Sequence, residues 1–510
     1  MWLALSVACA PNDPPDAAAP AAPAALTAPT ERAPAGLTYE VYVRSFQDSD
    51  GDGVGDLDGV RSRLPELATF GVRTLWLMPV FPAFGPAGYD VTDYGSITAE
   101  YGDAAALAAL VEAAHGLGMR VLLDLPFNQL HRDHPWFQAA EAGDPDAQAL
   151  FVYRDEPADN DRWFPSSAGG SYYARFGADL PDLDWASAET AARLDPIFDL
   201  WLDAGADGYR LDAVIMLVEE DGVTEGSAAS HALVGEWVER ARAAHPRTFF
   251  LAEASEWTLP ASVSWLDQEG APGADAVLDF PRHDAFLDAA ASGEAWPLAW
   301  ALQTEVNYRA EGMAGFLGSH DLDRLPSVVP DAQLRRTLRT IQLLAPGSPV
   351  LYYGEELDLP DTSTGTGQDW AMRAPMPWSA ADGAGFSAGT AWFPPDPSYA
   401  EGLNWEDEAE DPDSMLSLVR GLSCLRRALS LDEGADWTLD DADPHVLAFT
   451  RTNAAGTVAV RANLSGDVVS AARPPAGLVD LSTGSGTART ALPAFGAVVY
   501  ASEVGCRVAP

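Results

Sequence analysis

The sequence predicts an α/β protein built on a (β/α)8 TIM barrel, with an inserted lobe after strand three and a C-terminal antiparallel β domain. Three observations support this prediction. Short apolar runs alternate with helical patterns from residue 37 onward, and the interval after the third run is too long for a simple connection. After about residue 431 the pattern changes to short alternating strands. Buried strands that alternate with helices are typical of a parallel barrel.

The eight predicted barrel strands are compact runs rich in Val, Leu, Ile, Tyr and Phe. They lack the two-residue alternation of a strand with one solvent-facing side, which indicates that helices or other strands cover both faces. These runs and the helical segments between them assign residues 37–430 to the barrel. In chain order the runs read TYEVYVRSF, TLWLMPV, RVLLDLP, DGYRLDAV, TFFLAEA, AVLDF, GMAGFLGSH and SPVLYYG.

Two further units are predicted beside the barrel. The inserted lobe occupies about residues 131–184, which are rich in Asp, Pro, Gly, Trp and Tyr. Residues 431–510 contain the alternating runs HVLAFTRT, GTVAVRANL and FGAVVYASE. Alternation of this kind predicts a small antiparallel β domain.

The N-terminus resembles an export signal followed by a tether. Residues 1–9 are apolar and end at Cys9, as in a bacterial lipoprotein signal, although the apolar run is only about eight residues long and lacks a basic segment before it. A terminus without function is the alternative. Residues 10–36 are rich in Pro and Ala, which indicates an extended tether. We therefore expect an exported protein, lipid-anchored through Cys9 at the bacterial cell surface or in the periplasm, with no transmembrane helix in the mature chain.

The charge of the chain indicates which classes of partner it can bind, and its cysteine content indicates whether disulfides hold the fold together. The net charge is -46, and every basic residue apart from histidine is arginine. Such an acidic surface repels phosphates, which argues against nucleic acid and anionic membranes as partners. The three cysteines do not form a disulfide framework, and the sequence leaves a Cys424–Cys506 bridge open.

Polar residues follow four of the predicted strands. In a β/α barrel the chemistry lies at the C-terminal ends of the strands, so these side chains should share one mouth. Burying several carboxylates together is costly unless they are paired or used in catalysis. The residues are Asp124, Asn128, Arg210, Asp212, Glu253, His320 and Asp321.

Such a set suits the hydrolysis of glycosides with retention of configuration. That reaction needs a carboxylate nucleophile and a protonated carboxylic acid about 5–5.5 Å apart. Arg210 lies two residues before Asp212, hence on the same face of one strand, and is expected to lower the pKa of Asp212. Glu253 follows an apolar strand and is expected to have a raised pKa. Tyr89 is an aromatic candidate for stacking on a sugar.

With these residues in view, the chain resembles the alpha-amylase family, glycoside hydrolase family 13, and in particular its oligosaccharide-active branch. In this chain, GYRLDAV resembles the family's nucleophile motif and LAEASEW its acid/base motif. The segment FLGSHDLDR resembles the family's motif for the third carboxylate. The segments LPDLDW, AMRAPMPWSAADGAGFS and LYYGEEL also resemble family segments, in the family's order.

The resemblance implies a role for each matching residue. Asp212 would be the nucleophile, Glu253 the general acid/base, and Asp321 the carboxylate that binds sugar hydroxyls and distorts the ring. Substrate-binding roles are implied for Arg210, His320, Tyr89, Asp90 and Gln129. The resemblance thus implies a retaining hydrolase of alpha-glucosidic bonds in malto-oligosaccharides or related alpha-glucans, either an alpha-amylase or an oligosaccharide alpha-glucosidase.

The chain departs from the family pattern at three places. Asn128 is followed by Gln129, where the family usually has a histidine that contacts the sugar. Ile215 and Met216 replace the Lys-His pair that grips the reducing-side sugars in many endo-acting amylases. The wording LAEA around Glu253 is closer to alpha-glucosidases and trehalose-forming relatives. Two alternatives therefore stay open, a transglycosylase or trehalose-forming isomerase on the same scaffold, and an inactive glycan-binding protein at the cell surface.

The stretch DSDGDGVGD follows the first predicted strand and has the ligand spacing of a calcium loop. Oxygen ligands are expected from Asp48, Asp50, Asp52, the Val54 carbonyl and Asp56. Gly59 stands where an EF-hand has its glutamate, so the loop is not predicted to be a calcium switch. It resembles the calcium loop of oligosaccharide-active family members, which implies a structural Ca2+. An acidic turn without metal is the alternative.

Overall fold

The computed structural model describes most of the chain beyond the N-terminal segment. The predicted signal of residues 1–9, the tether of residues 10–36 apart from Gly36, and the anchor at Cys9 lie outside the described residues. The described part is residues 36–508 except 158–161, 220–222, 269, 309–310, 363–367, 441–442, 472–475 and 483–488.

Eight parallel strands close into a barrel, as the sequence predicts. Each strand pairs with its neighbour in chain order, and the first strand pairs with the eighth to close the ring. All five residues of the first strand are buried, which explains why these strands lack a polar alternation. The strands are Leu37–Val41, Val72–Leu77, Arg120–Leu125, Gly208–Leu211, Phe249–Ala252, Ala276–Leu278, Met313–Gly315 and Ser348–Tyr352.

The helices form the outer layer of the barrel and the connections around its mouth. Longer helices begin at side-chain caps, for example at Asp56, Asp103 and Ser187, whose oxygens accept backbone N–H groups of the first turn. Helices with α geometry are Val43–Phe46, Leu57–Thr69, Ala104–Gly116, Pro135–Glu141, Pro145–Gln148, Ala188–Asp203, Ala228–Ala244, Leu259–Val263, Phe280–Ser292, Trp296–Asn307, Leu325–Val328, Ala332–Leu344, Gln368–Ala371, Trp405–Glu410 and Met415–Ala428. Short 3-10 turns are Ala99–Tyr101, Val214–Met216, Glu355–Leu357, Asp382–Gly385, Pro397–Glu401 and Leu431–Glu433.

Between the third and fourth barrel strands the chain forms a small separate sheet. Its three antiparallel strands are Tyr153–Arg154, Trp163–Pro165 and Ser171–Tyr173, with the last in the centre. The helix Pro135–Glu141 packs on this sheet, because its Phe137 lies edge-on against Tyr172 of the central strand. This is the inserted lobe that the interval after strand three predicts.

The C-terminal part is an antiparallel sheet, also as predicted. Its five strands lie in the order Asp436–Leu439, Val446–Asn453, Gly456–Asn463, Ala497–Ala501 and Val479–Asp480. A separate antiparallel pair is formed by Val469–Ser470 and Ala491–Leu492.

A disulfide joins Cys424 to Cys506. Cys424 lies on the helix Met415–Ala428, and Cys506 follows the C-terminal sheet. The bridge that the sequence left open therefore links the helix before the C-terminal sheet to the end of the described chain.

The barrel interior and the helix layer are two parts of the apolar core. Trp76, Phe249, Phe316 and Val350 belong to a cluster inside the ring, whereas a larger cluster lies between strands and helices. In the described part of the chain, no helix is both long enough and apolar enough to cross a membrane.

Candidate active site

One buried guanidinium organises the mouth of the barrel. Arg210 lies on the fourth strand with its side chain 1% exposed, and its Nη1 donates to Asp124 Oδ1 at 2.7 Å and to Asp212 Oδ1 at 2.5 Å. Its Nη2 forms an ion pair with Glu253. Arg210 also lies over the Trp76 ring, 5.0 Å from its centroid. Three carboxylates from three strands therefore share one cation, as expected for residues at strand ends.

Asp212 lies directly beyond the fourth strand, with its side chain 10% exposed. The next residue, Ala213, has φ 45°, a left-handed conformation that costs a non-glycine residue about 1–3 kcal/mol. In this conformation its backbone N–H donates to Glu253 at 3.2 Å. This hydrogen bond links the residue after the predicted nucleophile to the predicted acid/base.

The pKa of Asp212 differs from the expectation. Burial raises it to about 6, and the opposing effect of Arg210 is not large enough to hold it low, because Asp124 and Asp321 add to the increase. Arg210 does lower the pKa of Asp212, as predicted, but the net shift is upward, which the sequence did not predict. Along the strand one arginine lies beside one aspartate, whereas the folded site places several carboxylates around that arginine.

Glu253 has the raised pKa that the sequence argument expects. Burial is the main cause, and although Arg210 acts to lower it, the charges of Asp212 and Asp321 contribute to a pKa of about 7. Its side chain is 18% exposed, between the values for Asp212 and for Asp321, which is 58% exposed. Of the three predicted catalytic carboxylates, Asp321 is therefore the most exposed, Glu253 is less exposed, and Asp212 is the most deeply buried.

His320 joins the rim to the interior through a buried acid. Its Nδ1 is hydrogen-bonded to Glu40, which is 0% exposed on the first strand, and its Nε2 lies 3.1 Å from Asp321 Oδ2. Burial opposes a charge on the imidazole, but Asp321 and Glu40 outweigh it and raise the pKa of His320 to about 10. Enclosure acts to raise the pKa of Asp321, but His320 lowers it below its usual range.

Tyr89 lies against this charged cluster. Its ring stacks on the imidazole of His320 with an interplanar angle of 10° and a centroid distance of 5.2 Å. Its hydroxyl lies 2.7 Å from His320 Nε2 and donates to Asp124 Oδ2 at 2.9 Å. Asp124 also accepts from Trp76 Nε1 at 3.0 Å and is fully buried. Through these hydrogen bonds the buried carboxylate of Asp124 positions Tyr89 and Arg210.

Asp90 and Gln129 lie behind Tyr89. Gln129 donates its amide to the Tyr89 carbonyl at 3.1 Å, so its amino group supports the Tyr89 backbone. Asp90 Oδ2 accepts from the Gly85 N–H at 2.7 Å. Among the described residues neither Asp90 Oδ1 nor Gln129 Oε1, both buried, has a hydrogen-bond partner. His131 stacks on exposed Phe84, with ring centroids 4.3 Å apart.

A small cavity of about 50 Å3 lies at this mouth. Glu253, His320 and Asp321 are among its polar lining residues, and Phe280, Phe316 and Leu322 are among its apolar ones. Glu253 and Asp321 therefore face this space, whereas Asp212 is not among its lining residues. Ile215 and Met216 lie on the short turn directly after Asp212, and Ile215 is 4% exposed.

The acidic loop brings together three of its four aspartates. Asp48, Asp50 and Asp56 each offer a carboxylate oxygen, and these oxygens lie within 4.8 Å of one another. Asp52 lies outside that group, and its Oδ1 accepts the Val54 N–H at 2.8 Å. Asp48 and Asp56 are buried, whereas Asp50 is exposed. The set of hard oxygen donors fits calcium.

The loop is held against a distant segment of the chain. Asp48 accepts from the Ser387 hydroxyl at 2.5 Å, and the Trp392 N–H donates to the Gly53 carbonyl at 2.8 Å. Gly53 has φ +97°, and a Cβ there would lie 2.0 Å from the Thr390 carbonyl oxygen. Only glycine fits this close approach, which explains the glycine at the sixth position of the loop.

Two residues of the site, Glu40 and Arg373, are not among those predicted from the sequence. Glu40 stands in an apolar run and contacts His320 from 280 positions away along the chain. Arg373 donates to the His320 carbonyl at 3.0 Å and to Asp321 Oδ1 at 3.4 Å. The one available signal for Glu40 was a carboxylate within a strand predicted to be buried on both faces. Arg373 lies in a segment, AMRAPMPW, that was recognised only as a resemblance.

Comparison with known proteins agrees with this geometry. The family model "Alpha amylase, catalytic domain" matches residues 40–434, which is most of the chain. That range contains the eight barrel strands after the first three residues and all the predicted catalytic residues.

Individual relatives carry several names. A trehalose synthase from Thermus thermophilus is 30% identical over 84% of this chain, and the match spans 50% of that protein's length. A glucan 1,6-alpha-glucosidase from Streptococcus pneumoniae serotype 4 is 27% identical over 84% of this chain and 91% of its own length. The crystal structure of an alpha-amylase from H. orenii matches 93% of this chain and 100% of its own, with a TM-score of 0.77 and 27% identity.

Proposed function

The chain belongs to the alpha-amylase family of glycoside hydrolases, and from that premise we propose that it cleaves alpha-glucosidic bonds in malto-oligosaccharides or related alpha-glucans with retention of configuration. The observation that supports this most strongly is the shared guanidinium of Arg210, which links Asp212, Glu253 and Asp124 at one mouth. A glycosidase of this type needs two carboxylates that act on one anomeric carbon, and a single arginine between them holds them close.

The proposed reaction has two steps. The Asp212 carboxylate attacks the anomeric carbon while Glu253 gives its proton to the glycosidic oxygen, so the bond to the leaving sugar breaks and a glycosyl ester forms on Asp212. Glu253 then takes a proton from water, whose oxygen attacks the same carbon and releases Asp212. Asp321 at the rim would bind the sugar hydroxyls, and Tyr89 would stack on the ring.

The pKa values of the two carboxylates predict a bell-shaped pH profile. The pKa of Asp212 is raised to about 6 and that of Glu253 to about 7. Asp212 must be deprotonated, so the rate falls as pH drops below about 6, and Glu253 must be protonated, so the rate falls as pH rises above about 7. We expect kcat/KM on maltotriose to peak between these values, and a profile flat from pH 5 to 9 would contradict the assignment.

The product profile on defined substrates tests the proposed function. We expect wild-type protein to hydrolyse maltoheptaose. Glucose released singly would identify an alpha-glucosidase, and mixed internal fragments an alpha-amylase. If neither maltoheptaose, isomaltose nor maltose were consumed, the hydrolase proposal would be wrong, and binding without turnover would support the inactive glycan-binding alternative.

Isomerisation is a second candidate because the Thermus thermophilus relative is a trehalose synthase. The same carboxylates would form the glycosyl ester, and a retained glucose rather than water would attack it. The acceptor side of the site decides between the two. In a maltose digest followed over time, trehalose as the main product would favour the isomerase, and glucose alone would favour the hydrolase.

We propose that the acidic loop holds a structural Ca2+ through Asp48, Asp50, Asp56 and the Val54 carbonyl. Asp52, which the sequence also suggests as a ligand, lies outside the carboxylate cluster and instead accepts the Val54 N–H. The cluster of three carboxylates supports this proposal, because a cation would offset their mutual repulsion. A bound ion would also stabilise the contact of the loop with Ser387 and Trp392. Its role is structural, and no chemical step passes through it.

Chelation is therefore expected to lower the melting temperature. A ligand present at 100 times its Kd stabilises the native state by about 2.7 kcal/mol, and removing it loses that amount. Thermal unfolding with and without a strong calcium chelator measures the effect. Asp50→Ala should abolish the response to the chelator, whereas Asp58→Ala, an exposed aspartate outside the cluster, should keep it. If the chelator left the melting temperature of the wild-type protein unchanged, the loop would be an acidic turn that binds no metal.

Export and anchoring at Cys9 complete the proposal. The Cys424–Cys506 disulfide supports export, because structural disulfides persist in oxidising compartments and are rare in the cytosol. Cys9→Ser should release the protein from the membrane fraction of its native host. Full membrane retention of that variant would exclude the lipid anchor.

A further inference from the structure

A pair of tryptophans is exposed on the outer layer of helices. Trp296 and Trp300 lie on the helix Trp296–Asn307 and are 65% and 62% exposed. Residues four apart on a helix share a face, so the two indoles are neighbours. Large aromatic side chains usually gain by burial, and a paired exposure on a single helix face marks a candidate contact surface.

The rest of this helix face is uncharged. It continues through Gln303, Thr304 and Asn307, whose amides and hydroxyl are partly or fully exposed. Gln303 donates to Asn307 Oδ1 at 3.1 Å, which holds the two amides in line. With a rise of 1.5 Å per residue, the strip from the first tryptophan to Asn307 is roughly 16 Å long.

The charged residue of this helix points inward. Glu305 is 2% exposed and accepts two hydrogen bonds from the buried guanidinium of Arg282. On a chain with a net charge of -46, a helix face made only of indole, amide and hydroxyl groups is therefore matched to a neutral partner. The net negative charge of the chain disfavours anionic partners.

We propose that the Trp296–Trp300 face is a non-catalytic binding surface for a neutral polysaccharide, an alpha-glucan chain long enough to reach both indoles. The flat faces of the indoles would stack on the apolar faces of successive sugars, and the amides beyond them would bind sugar hydroxyls. The choice of an alpha-glucan rests on the proposed function. The inference that this face is a binding surface depends only on the residues of the helix Trp296–Asn307 and not on the proposed function.

The size of the face disfavours a second copy of the chain as its occupant. An aromatic side chain buries about 150–250 Å2, so two of them supply roughly 300–500 Å2. A stable protein–protein interface buries about 800 Å2 on each partner. A surface of this size suits a narrow glycan strand, which would hold the enzyme on a polymer and raise the local concentration of bonds to cleave.

Retention on insoluble starch tests the proposal. Binding is measured in an Asp212→Asn background, so that the polymer is not consumed, and with saturating maltotriose to fill the catalytic site. We expect Trp296→Ala/Trp300→Ala to raise the Kd for starch granules at least tenfold. In the active background the same double variant should keep kcat/KM on maltotriose within twofold and melt at the wild-type temperature.

Two matched variants separate stacking from general apolarity. Trp296→Phe/Trp300→Phe keeps flat rings and should retain most of the binding, whereas Trp296→Leu/Trp300→Leu keeps apolar area without rings and should lose it. Val468→Ala, at an exposed apolar residue of the C-terminal part (72% exposed), should bind as wild type.

Several results would overturn the proposal. These are wild-type retention in the alanine variant, full retention in the leucine variant, or a wild-type dimer that the alanine variant turns into a monomer. Failure of the proposed function would differ, since wild-type protein would then turn over no alpha-glucan. If such a protein still bound starch through Trp296 and Trp300, the surface would stand while the activity would not.

Discussion

Asp212→Asn is expected to reduce turnover of maltoheptaose by about 10⁴-fold or more, because an amide carries no charge and cannot form the glycosyl ester. Asparagine has the same shape as aspartate and can still accept a hydrogen bond from Arg210. Steady-state rates of purified wild-type and variant protein measure the loss. Retention of even a tenth of the wild-type rate would show that Asp212 is not the nucleophile.

The same substitution is expected to leave the fold intact. The pKa of Asp212 is raised in the folded protein to about 6, so its ionised form is disfavoured by folding at neutral pH. A neutral side chain removes this cost, and the melting temperature of the variant at pH 7 should not fall below that of the wild type. A large fall would mean that the lost activity reflects unfolding.

Glu253→Gln is expected to lose about 10²–10⁴-fold in turnover of maltosides, the range for removal of a general acid/base. The loss should depend on the leaving group. A 4-nitrophenyl alpha-glucoside needs little protonation to depart, so the ester on Asp212 should still form quickly. Its hydrolysis should then be slow, because no base activates the water.

Pre-steady-state kinetics measure this effect. We expect a burst of 4-nitrophenol equal to the enzyme concentration, followed by a slow steady state, in Glu253→Gln and not in Asp212→Asn. Glu256→Gln is the matched control three residues on, since Glu256 contacts Trp265 Nε1, and it should behave as wild type. An equal loss on natural and activated substrates, without a burst, would remove Glu253 from the acid/base role.

The sequence predicted the barrel and the position of the carboxylates for one physical reason. Parallel strands end at the same edge, so Asp212, Glu253 and Asp321 must converge once the strands are recognised. That inference needs only the order of strands. The antiparallel C-terminal sheet could also be predicted, because apolar and polar residues alternate along strands that have one exposed face.

The contacts that tune the site could not be predicted in this way. Glu40 and Arg373 reach His320 and Asp321 from the first strand and from beyond the eighth, and no local pattern encodes those pairs. The net upward shift in the pKa of Asp212 was not predicted, because its value depends on burial and on Asp124 and Asp321 as well as on Arg210. The spacing of residues in the sequence predicts which side chains are neighbours along one strand. It does not predict which side chains from other strands lie beside them across the barrel.

The proposed mechanism requires a covalent bond between Asp212 and the sugar. A fluorinated alpha-glucosyl fluoride tests it most directly, since fluorine on the ring slows both steps while the fluoride leaving group still lets the first proceed. Mass spectrometry of a protease digest then locates the trapped sugar. We predict one fluoroglucosyl group on the peptide that contains Asp212, attached at that residue. A label on Glu253 or Asp124, or turnover of the reagent with release of the beta anomer and no label, would contradict the claim.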